Sequence, residues 1–244
     1  MAHINLKSRE RIFRETSGIS DAEKRILGEM LLPERFPNAK GIMSAIPGIV
    51  RREEETPKAG YIPLGFVSWR RIKGRRLRLG AFASPGEILR TASPEETAAK
   101  VDGLNAEAQD RTPALTVLRK LRSRWGIRPF SLGVWGSAAM ELETGHAYTH
   151  RHSDLDVRLL PTKPALYEDL AAGLQIILDS AAEFNLNIDA ELRTAQGYGV
   201  SLKELLGNGT TVLGKRQTDV TLMQKHDVFA GLKNIPPAPV SVYY

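Results

Sequence analysis

The sequence predicts a mixed α+β and α/β protein with a smaller, basic α+β domain over residues 1–110. A core of mixed sheet with flanking helices follows over residues 111–244. Three observations carry this prediction. Strand-like and helix-like apolar patterns alternate after residue 113, and the polar stretch Asp102–Thr112 resembles a linker. Residues 1–128 hold 25 Lys and Arg against 15 Asp and Glu, whereas residues 129–244 hold 9 against 13.

The N-terminal domain is predicted to contain short helices and a long hairpin. Residues 1–20 are polar, and we expect no stable element there. Asp21–Leu32 predicts a helix, and Lys40–Val50 an extended segment. The strand-like runs Tyr61–Ile72 and Arg75–Phe82 are joined at Lys73-Gly74, which favours a hairpin with an arginine-rich surface. Ser93 is followed by Pro and two Glu, so a helix is expected from there to Val101.

The C-terminal core is predicted to alternate between strands and helices. Pro164–Phe184 has the apolar spacing of a long amphipathic helix, and Leu186–Leu192 alternates strictly, as a strand does. The tail, residues 235–244, is expected to be extended. The other helices are predicted at Pro113–Trp125, Ser137–Glu143 and Leu202–Leu206, and the other strands at Phe130–Trp135, Leu155–Leu160, Thr211–Lys215 and Val220–Met223.

Composition narrows the class of protein. The chain has 244 residues, of which 42% are hydrophobic, enough to bury a sizeable core. No apolar run approaches the ~18 residues of a membrane span, and the N-terminus lacks a signal-peptide pattern. We therefore expect a cytoplasmic protein that does not bind membranes. Zero Cys excludes disulfides and thiolate catalysis. The basic first half is either a solvated surface or one that attracts an anionic partner.

The pattern most typical of catalysis runs from Gly136 to Leu160. Asp154 and Asp156 are two residues apart on a predicted strand, so both carboxylates point to one face and repel each other unless a cation lies between them. Asp189 and Glu191 repeat that spacing on a later strand. Gly136-Ser137 sits at a strand-to-helix junction, where backbone amides can hold phosphates. Such acids are also found on exposed strands without any function, but their joint order favours a two-metal phosphoryl-transfer site.

This order resembles the nucleotidyltransferase superfamily that includes DNA polymerase β. A closer resemblance is to the phosphoribosyl-dephospho-CoA transferases, also called malonate decarboxylase holo-[acyl-carrier protein] synthases. The motifs that carry it are GSAAMELETG, SDLDVRL, IDAELRTAQGYGVSLKEL and VLGKR, and they cover roughly residues 113–225. This chain departs from the family at residues 138–140, where Ala, Ala and Met replace bulkier residues, and in the longer, histidine-rich loop His146–His152.

The resemblance implies a nucleotidyltransferase core and a set of site residues. The family's essential acids fall on Asp154 and Asp156, and its later acidic strand on Asp189 and Glu191. Asp154, Asp156 and Asp189 are then the catalytic residues and the ligands of Mg²⁺, two ions in all. The expected substrate-binding residues are Gly136, Ser137, Lys215, Arg151 and Glu191.

The resemblance also implies the substrates. The donor would be 2′-(5″-triphosphoribosyl)-3′-dephospho-CoA, and the acceptor a serine of the apo acyl-carrier subunit of malonate decarboxylase. The product is a phosphodiester-linked prosthetic group, and pyrophosphate is released. Nucleic acid is not the expected partner. Because carrier proteins of this type tend to be acidic, the basic first half would suit docking of the acceptor.

Two other functions stay open at this point. The same core could transfer a nucleotidyl group from ATP or CTP to a small molecule, a protein or an RNA end, since the acids do not discriminate acceptors. Alternatively, the chain could be a non-catalytic basic binding module. For His146, His150 and His152, a solvated loop is favoured over a phosphate contact or a Zn²⁺ site.

Overall fold

The computed structural model describes residues 2–35, 45–51, 59–126, 128–216 and 219–235. Much of the expected extended segment Lys40–Val50 and nearly all of the tail lie outside these ranges. The chain divides into two compact units, one of residues 1–93 with 143–147 and one of residues 94–142 with 148–244. The mixed α+β class is confirmed. The predicted boundary between a binding domain (residues 1–110) and a catalytic domain (residues 111–244) stays a prediction.

The first unit contains a five-stranded antiparallel sheet with the strand order β4-β3-β2-β1-β5. Its strands are β1 (His3–Leu6), β2 (Gly48–Val50), β3 (Ile62–Ile72), β4 (Arg75–Ala83) and β5 (Ile88–Ala92), and its helices are α1 (Glu10–Glu15) and α2 (Asp21–Leu31). The β3–β4 hairpin is confirmed, with Ile72 opposite Arg75. Lys73 and Gly74 both have positive φ, as a tight two-residue hairpin turn requires.

The expectation of no stable element in residues 1–20 was wrong. The strand β1 pairs with both β2 and β5, and it buries Ile4 and Leu6. Four residues are too few to display a recognisable period, so pairing with distant strands, rather than local pattern, makes this segment a strand. The helix α2 has the acidic first turn that was predicted, and Ser20 caps it in a capping box with Glu23.

The second unit contains a six-stranded mixed sheet with the order β11-β10-β9-β8-β7-β6. Strands β7 and β8 are parallel, and the other neighbouring pairs are antiparallel. Its strands are β6 (Phe130–Val134), β7 (Leu155–Pro161), β8 (Ile188–Arg193), β9 (Gly199–Ser201), β10 (Thr211–Lys215) and β11 (Val220–Gln224). Its helices are α3 (Pro94–Ala99), α4 (Ala106–Gln109), α5 (Pro113–Trp125), α6 (Gly136–Thr144), α7 (Tyr167–Phe184), α8 (Leu202–Leu206) and α9 (Lys225–Lys233).

Most of the predicted elements of this unit are present, with three additions. The sequence did not predict β9, α9 or the short helix α4 inside the supposed linker. The strand β9 and the helix α4 have only three and four residues, and the nine-residue α9 follows β11 without an intervening turn signal. The connection between parallel β7 and β8 is made by α7, as the crossover of a parallel pair requires.

The six-stranded sheet has one apolar and one polar face. On β7, the alternating residues Leu155, Val157 and Leu159 are buried in the core beneath α5 and α7, and the Leu159 side chain approaches Gly173 of α7. The intervening residues Asp156 and Arg158 point to the opposite face. The sheet therefore presents one face to the core and keeps the other for polar side chains. Within the described ranges, no helix is both long and apolar enough to cross a membrane.

Candidate active site

The strand-to-helix turn after β6 is built around Gly136. The helix α6 begins at this residue, directly after Val134-Trp135, and the Trp135 amide donates to the Asp156 carbonyl at 3.0 Å. Gly136 has φ +59°, and a Cβ placed on it would overlap Oδ2 of Asp156. The glycine thus allows the carboxylate to lie against the first turn of α6. Ser137, in the same turn, is half-buried.

The parallel pairing of β7 with β8 brings together two of the predicted acids. Asp156 and Asp189 are direct cross-strand partners, so their side chains lie side by side on the polar face. Asp154 immediately precedes β7 and is exposed, as is Asp189. In the described part of the chain, none of these three carboxylates accepts a hydrogen bond or forms an ion pair.

The negative charges of Asp154 and Asp189 act on the carboxyl group of Asp156. The pKa of Asp156 is raised above its usual value, first by burial and then by the charges of Asp189 and Asp154. A cation bound between these carboxylates would attract each of them and so stabilise their ionised forms. Among the described residues, however, no three His, Asp or Glu side chains form by themselves a group that would hold a metal ion. The assignment of the acids as Mg²⁺ ligands therefore stays a prediction.

Glu191 and Lys215 lie further along the same polar face. Glu191 is half-buried, and its carboxylate lies over Gly199 of β9, where any side chain would displace it. Burial raises the pKa of Glu191. Lys215 is exposed, and it lies opposite Gly199 on the other side of β9. The two predicted binding residues therefore flank one glycine.

Arg151 and the histidine loop are arranged differently. Arg151 is exposed, and its Nε lies 2.6 Å from Nε2 of the neighbouring His152. His146 belongs to the first unit, where it stacks on Trp69 with ring centroids 4.0 Å apart. Burial lowers the pKa of His146, and the charge of Arg70 lowers it further. The described contacts of Arg151 are local, so its predicted phosphate contact rests on its position in the sequence alone.

A buried clamp that the sequence did not reveal connects α6 with the loop before the acids. Glu141 of α6 accepts hydrogen bonds from the Thr149 amide at 2.7 Å and the Thr149 hydroxyl at 2.8 Å. Its other oxygen accepts from Nε of Arg111 at 2.8 Å, and Arg111 also donates to Thr149. Loop residues 148 and 149 are buried. The clamp holds the chain that leads into Asp154.

Two arginines on the polar face were also missed. Arg158 of β7 makes a two-pronged ion pair with Glu95 of α3, at 2.9 and 2.5 Å. Arg193 of β8 is half-buried. The signal was present, because Arg158 continues the alternation of Asp154 and Asp156, and Arg193 that of Asp189 and Glu191.

Comparison with known proteins gives a consistent result. The model of the phosphoribosyl-dephospho-CoA transferase MdcG C-terminal domain matches residues 101–226. The chain is 33% identical over 174 residues to a phosphoribosyl-dephospho-CoA transferase of Pseudomonas putida, which covers 71% of this chain and 76% of that protein. It is 30% identical over 194 residues to the enzyme of that name from Pseudomonas syringae pv. tomato, covering 79% and 85%. No solved structure matches.

Proposed function

Because the chain belongs to the phosphoribosyl-dephospho-CoA transferase family and is a transferase enzyme, we propose that it builds the prosthetic group of a carrier protein. The donor is 2′-(5″-triphosphoribosyl)-3′-dephospho-CoA. The acceptor is a serine hydroxyl on the apo acyl-carrier subunit of malonate decarboxylase. The serine oxygen forms a bond to the α-phosphorus of the donor, the bond from that phosphorus to pyrophosphate breaks, and the serine proton passes to a carboxylate.

The observation that supports this proposal is the placement of three carboxylates that accept no hydrogen bond from the residues that the structure describes. Asp156 and Asp189 are adjacent on parallel strands, and Asp156 touches the turn that begins α6. The ionised form of Asp156 destabilises the protein, because this carboxylate is half-buried and is repelled by the charges of Asp189 and Asp154. Such a cost is typical of sites that bind a cation or handle a proton.

The acids fit the chemistry that Mg²⁺ supplies. When bound, the metal neutralises charge on the phosphates and stabilises the attacking and leaving oxygens. Mg²⁺ usually takes only one or two carboxylates and fills its other positions with water and substrate phosphate oxygens. A group of three or more protein ligands is therefore not needed before the donor binds. Asp154 and Asp156 would hold the metal, since they match the family's essential acids.

Asp189 is suited to receive the serine proton. It lies next to Asp156 and is exposed, so an incoming hydroxyl of a protein acceptor can reach it. A carboxylate must lie within hydrogen-bond reach of the proton it accepts. The exposed position of Asp189 satisfies that requirement better than half-buried Asp156.

The first turn of α6 is suited to the triphosphate. The amides of Gly136 and Ser137 are among the first four of the helix, which have no partner within it. These amides and the positive end of the helix dipole favour phosphate oxygens. Because the Asp156 carboxylate touches Gly136, phosphates at this turn would lie beside the acids.

A transfer assay tests the proposal. The protein is incubated with Mg²⁺, triphosphoribosyl-dephospho-CoA and apo carrier protein, and the carrier is weighed by mass spectrometry. We expect the carrier to gain the mass of one prosthetic group, and a carrier whose acceptor serine is replaced by alanine to gain none. Transfer from ATP or CTP, with no transfer from the dephospho-CoA donor, would contradict the proposal and favour a general nucleotidyltransferase.

A further inference from the structure

Arg193 is a half-buried cation whose guanidinium is not neutralised by a direct contact with any carboxylate among the described residues. In the described part of the chain, its guanidinium makes no hydrogen bond and no ion pair, and it packs against Gly197 in the turn after β8. The nearby arginines are already engaged, since Arg158 binds Glu95 and Arg216 binds Asp219. Burial lowers the pKa of Arg193, and the charge of Arg158 lowers it further, whereas the charges of Glu191 and Glu95 act in the opposite direction. The five donor positions of this guanidinium are thus not used by any residue that the structure describes, so they can serve a ligand.

Glu191, two residues before Arg193, is a half-buried carboxylate that is also unpaired among the described residues. It lies over Gly199, and within the described ranges it accepts no hydrogen bond and forms no ion pair, including with Arg193. Arg193 is opposite Gly199 in the β8–β9 pairing, and Gly199 is opposite Lys215 in the β9–β10 pairing. A carboxylate is therefore flanked by two cations on one sheet face. This combination suits a ligand that carries both a phosphate and a hydroxyl group.

The position of this pair relative to the acids is set by the strand. Asp189, Glu191 and Arg193 share one face of β8, and four residues of a strand separate the first from the last by about 13 Å. In the proposed donor, two ribosyl groups separate the reacting phosphate from the diphosphate of dephospho-CoA. With the reacting phosphate at the acids, the diphosphate would extend toward Arg193.

We propose that Glu191 and Arg193 bind the dephospho-CoA part of the donor, with the guanidinium on the diphosphate and the carboxylate on the free 3′-hydroxyl. This inference rests on the proposed function, since it takes the donor from it. It adds a basis for specificity. A hydroxyl can donate to Glu191, whereas a 3′-phosphate would bring negative charge against a half-buried carboxylate. Glu191 therefore makes the site select 3′-dephospho-CoA over CoA.

The same physical logic is known from dinucleotide sites. There, a carboxylate that accepts a hydrogen bond from a ribose hydroxyl favours the nucleotide without a phosphate at that position. Lys215, across Gly199 from Arg193, would add attraction for the diphosphate without contributing to the choice at the 3′ position. The guanidinium of Arg193 would thus increase the affinity for the diphosphate, and the carboxylate of Glu191 would discriminate between dephospho-CoA and CoA.

Titration calorimetry of the full-length, metal-free protein with 3′-dephospho-CoA and with CoA tests this inference. Wild type should bind dephospho-CoA more tightly than CoA. Arg193→Gln should weaken dephospho-CoA binding by about ten- to a hundredfold, because a charge-assisted contact is lost. Glu191→Gln should reduce the preference for dephospho-CoA by about tenfold, since the amide no longer repels the 3′-phosphate. Arg122→Gln, which removes a cation that binds Asp102, should change neither affinity by more than about twofold.

Three outcomes would overturn the inference. These are no measurable binding of dephospho-CoA by wild type, an unchanged affinity in Arg193→Gln, and an unchanged preference in Glu191→Gln. Circular dichroism of both variants separates a binding defect from misfolding. The transfer assay distinguishes the two proposals, because it uses wild type alone. Transfer to the carrier with an unchanged preference in Glu191→Gln would overturn only the subsite, and no transfer by wild type would overturn the proposed function.

Discussion

The carboxylate of Asp156 occupies the space in which a side chain of residue 136 would begin. Twenty positions separate the two residues in the chain, yet β6 and β7 are neighbours, and the Trp135 amide is hydrogen-bonded to the Asp156 carbonyl. The first turn of α6 and the acidic strand are therefore fitted to each other.

Gly136→Ala tests whether the close contact between residue 136 and Asp156 matters beyond the backbone strain that the substitution causes. The new Cβ would push away the Asp156 carboxylate, and φ +59° would be strained, so we expect a stability loss of about 1–3 kcal/mol. The rate of transfer should fall by about a hundredfold or more, since the displaced Asp156 carboxylate would no longer be in its catalytic position. Gly145→Ala is the matched control, because Gly145 has φ +71° with nothing within 4 Å of its Cβ position. It should lose stability but keep its activity, and equal activity in the two variants would refute the fit.

Asp156→Asn should remove transfer without unfolding the protein. We expect turnover to fall by about a thousandfold or more, since the variant loses a charge that the reaction uses. Folding should be retained, because the pKa of Asp156 is raised by burial and by Asp189, and an amide relieves both costs. Asp179→Asn, at an exposed acid of α7 that accepts a bond from Gln175, is the control and should keep full activity. Near-normal turnover in Asp156→Asn would contradict the catalytic assignment.

The raised pKa of Asp156 predicts a pH dependence of stability in the metal-free protein. The folded state binds the proton of this carboxyl more readily than the unfolded state does, so its stabilising effect is complete below the ordinary value of 3.8. That effect is lost as pH rises through the higher pKa of the folded state. Asp156→Asn should therefore gain stability relative to wild type as pH rises from about 4 to neutral. Urea unfolding in EDTA measures this difference, and a difference independent of pH would contradict the prediction.

The clamp between Arg111 and Glu141 is expected to matter for both stability and activity. Arg111→Met leaves a buried carboxylate with only the Thr149 groups, so we expect a loss of about 1–3 kcal/mol. Because the clamp holds the loop before Asp154, turnover should fall as well. Arg119→Met is the matched control. The side chains of Arg119 and Arg111 are 38% and 37% exposed, but Asp110, the partner of Arg119, is 58% exposed, against 9% for Glu141.

For Arg119→Met, chemical denaturation should give a loss below about 1 kcal/mol. Equal losses in Arg111→Met and Arg119→Met would mean that the burial of Glu141 does not matter.

The basic hairpin of the first unit is expected to assist docking of an acidic carrier protein. Arg78 of β4 is exposed, so Arg78→Glu should weaken the interaction more at low salt than at high salt, because salt screens exposed charges. The apparent KM for the carrier at two ionic strengths measures this effect. Lys163→Glu makes the same change of charge at an exposed position of the second unit and should have less effect. Equal, salt-independent effects of the two variants would argue against a docking role for the hairpin.

Much of the fold could be predicted because its long elements carry strong local patterns. The hairpin of β3 and β4, the helices α5 and α7, and the strand β8 all have apolar residues at the spacing of their class. The short elements β1, β9 and α4 were missed, since three or four residues contain too little of any period. The clamp of Arg111, Glu141 and Thr149 was missed for another reason, because its members lie far apart in the chain and belong to no motif.

Although Asp154 precedes β7 and lies outside it, the sequence alone was enough to predict that Asp189 and Glu191 share one face of a strand. That property follows from the two-residue period of a strand and needs no knowledge of its neighbours. Only the three-dimensional structure shows that β7 and β8 are adjacent and parallel with Asp156 beside Asp189, that Gly136 makes room for Asp156, and that the Arg193 guanidinium makes no hydrogen bond or ion pair among the described residues. Strand order and register depend on packing between distant segments, and no local pattern records which charged groups remain unpaired once that packing is complete.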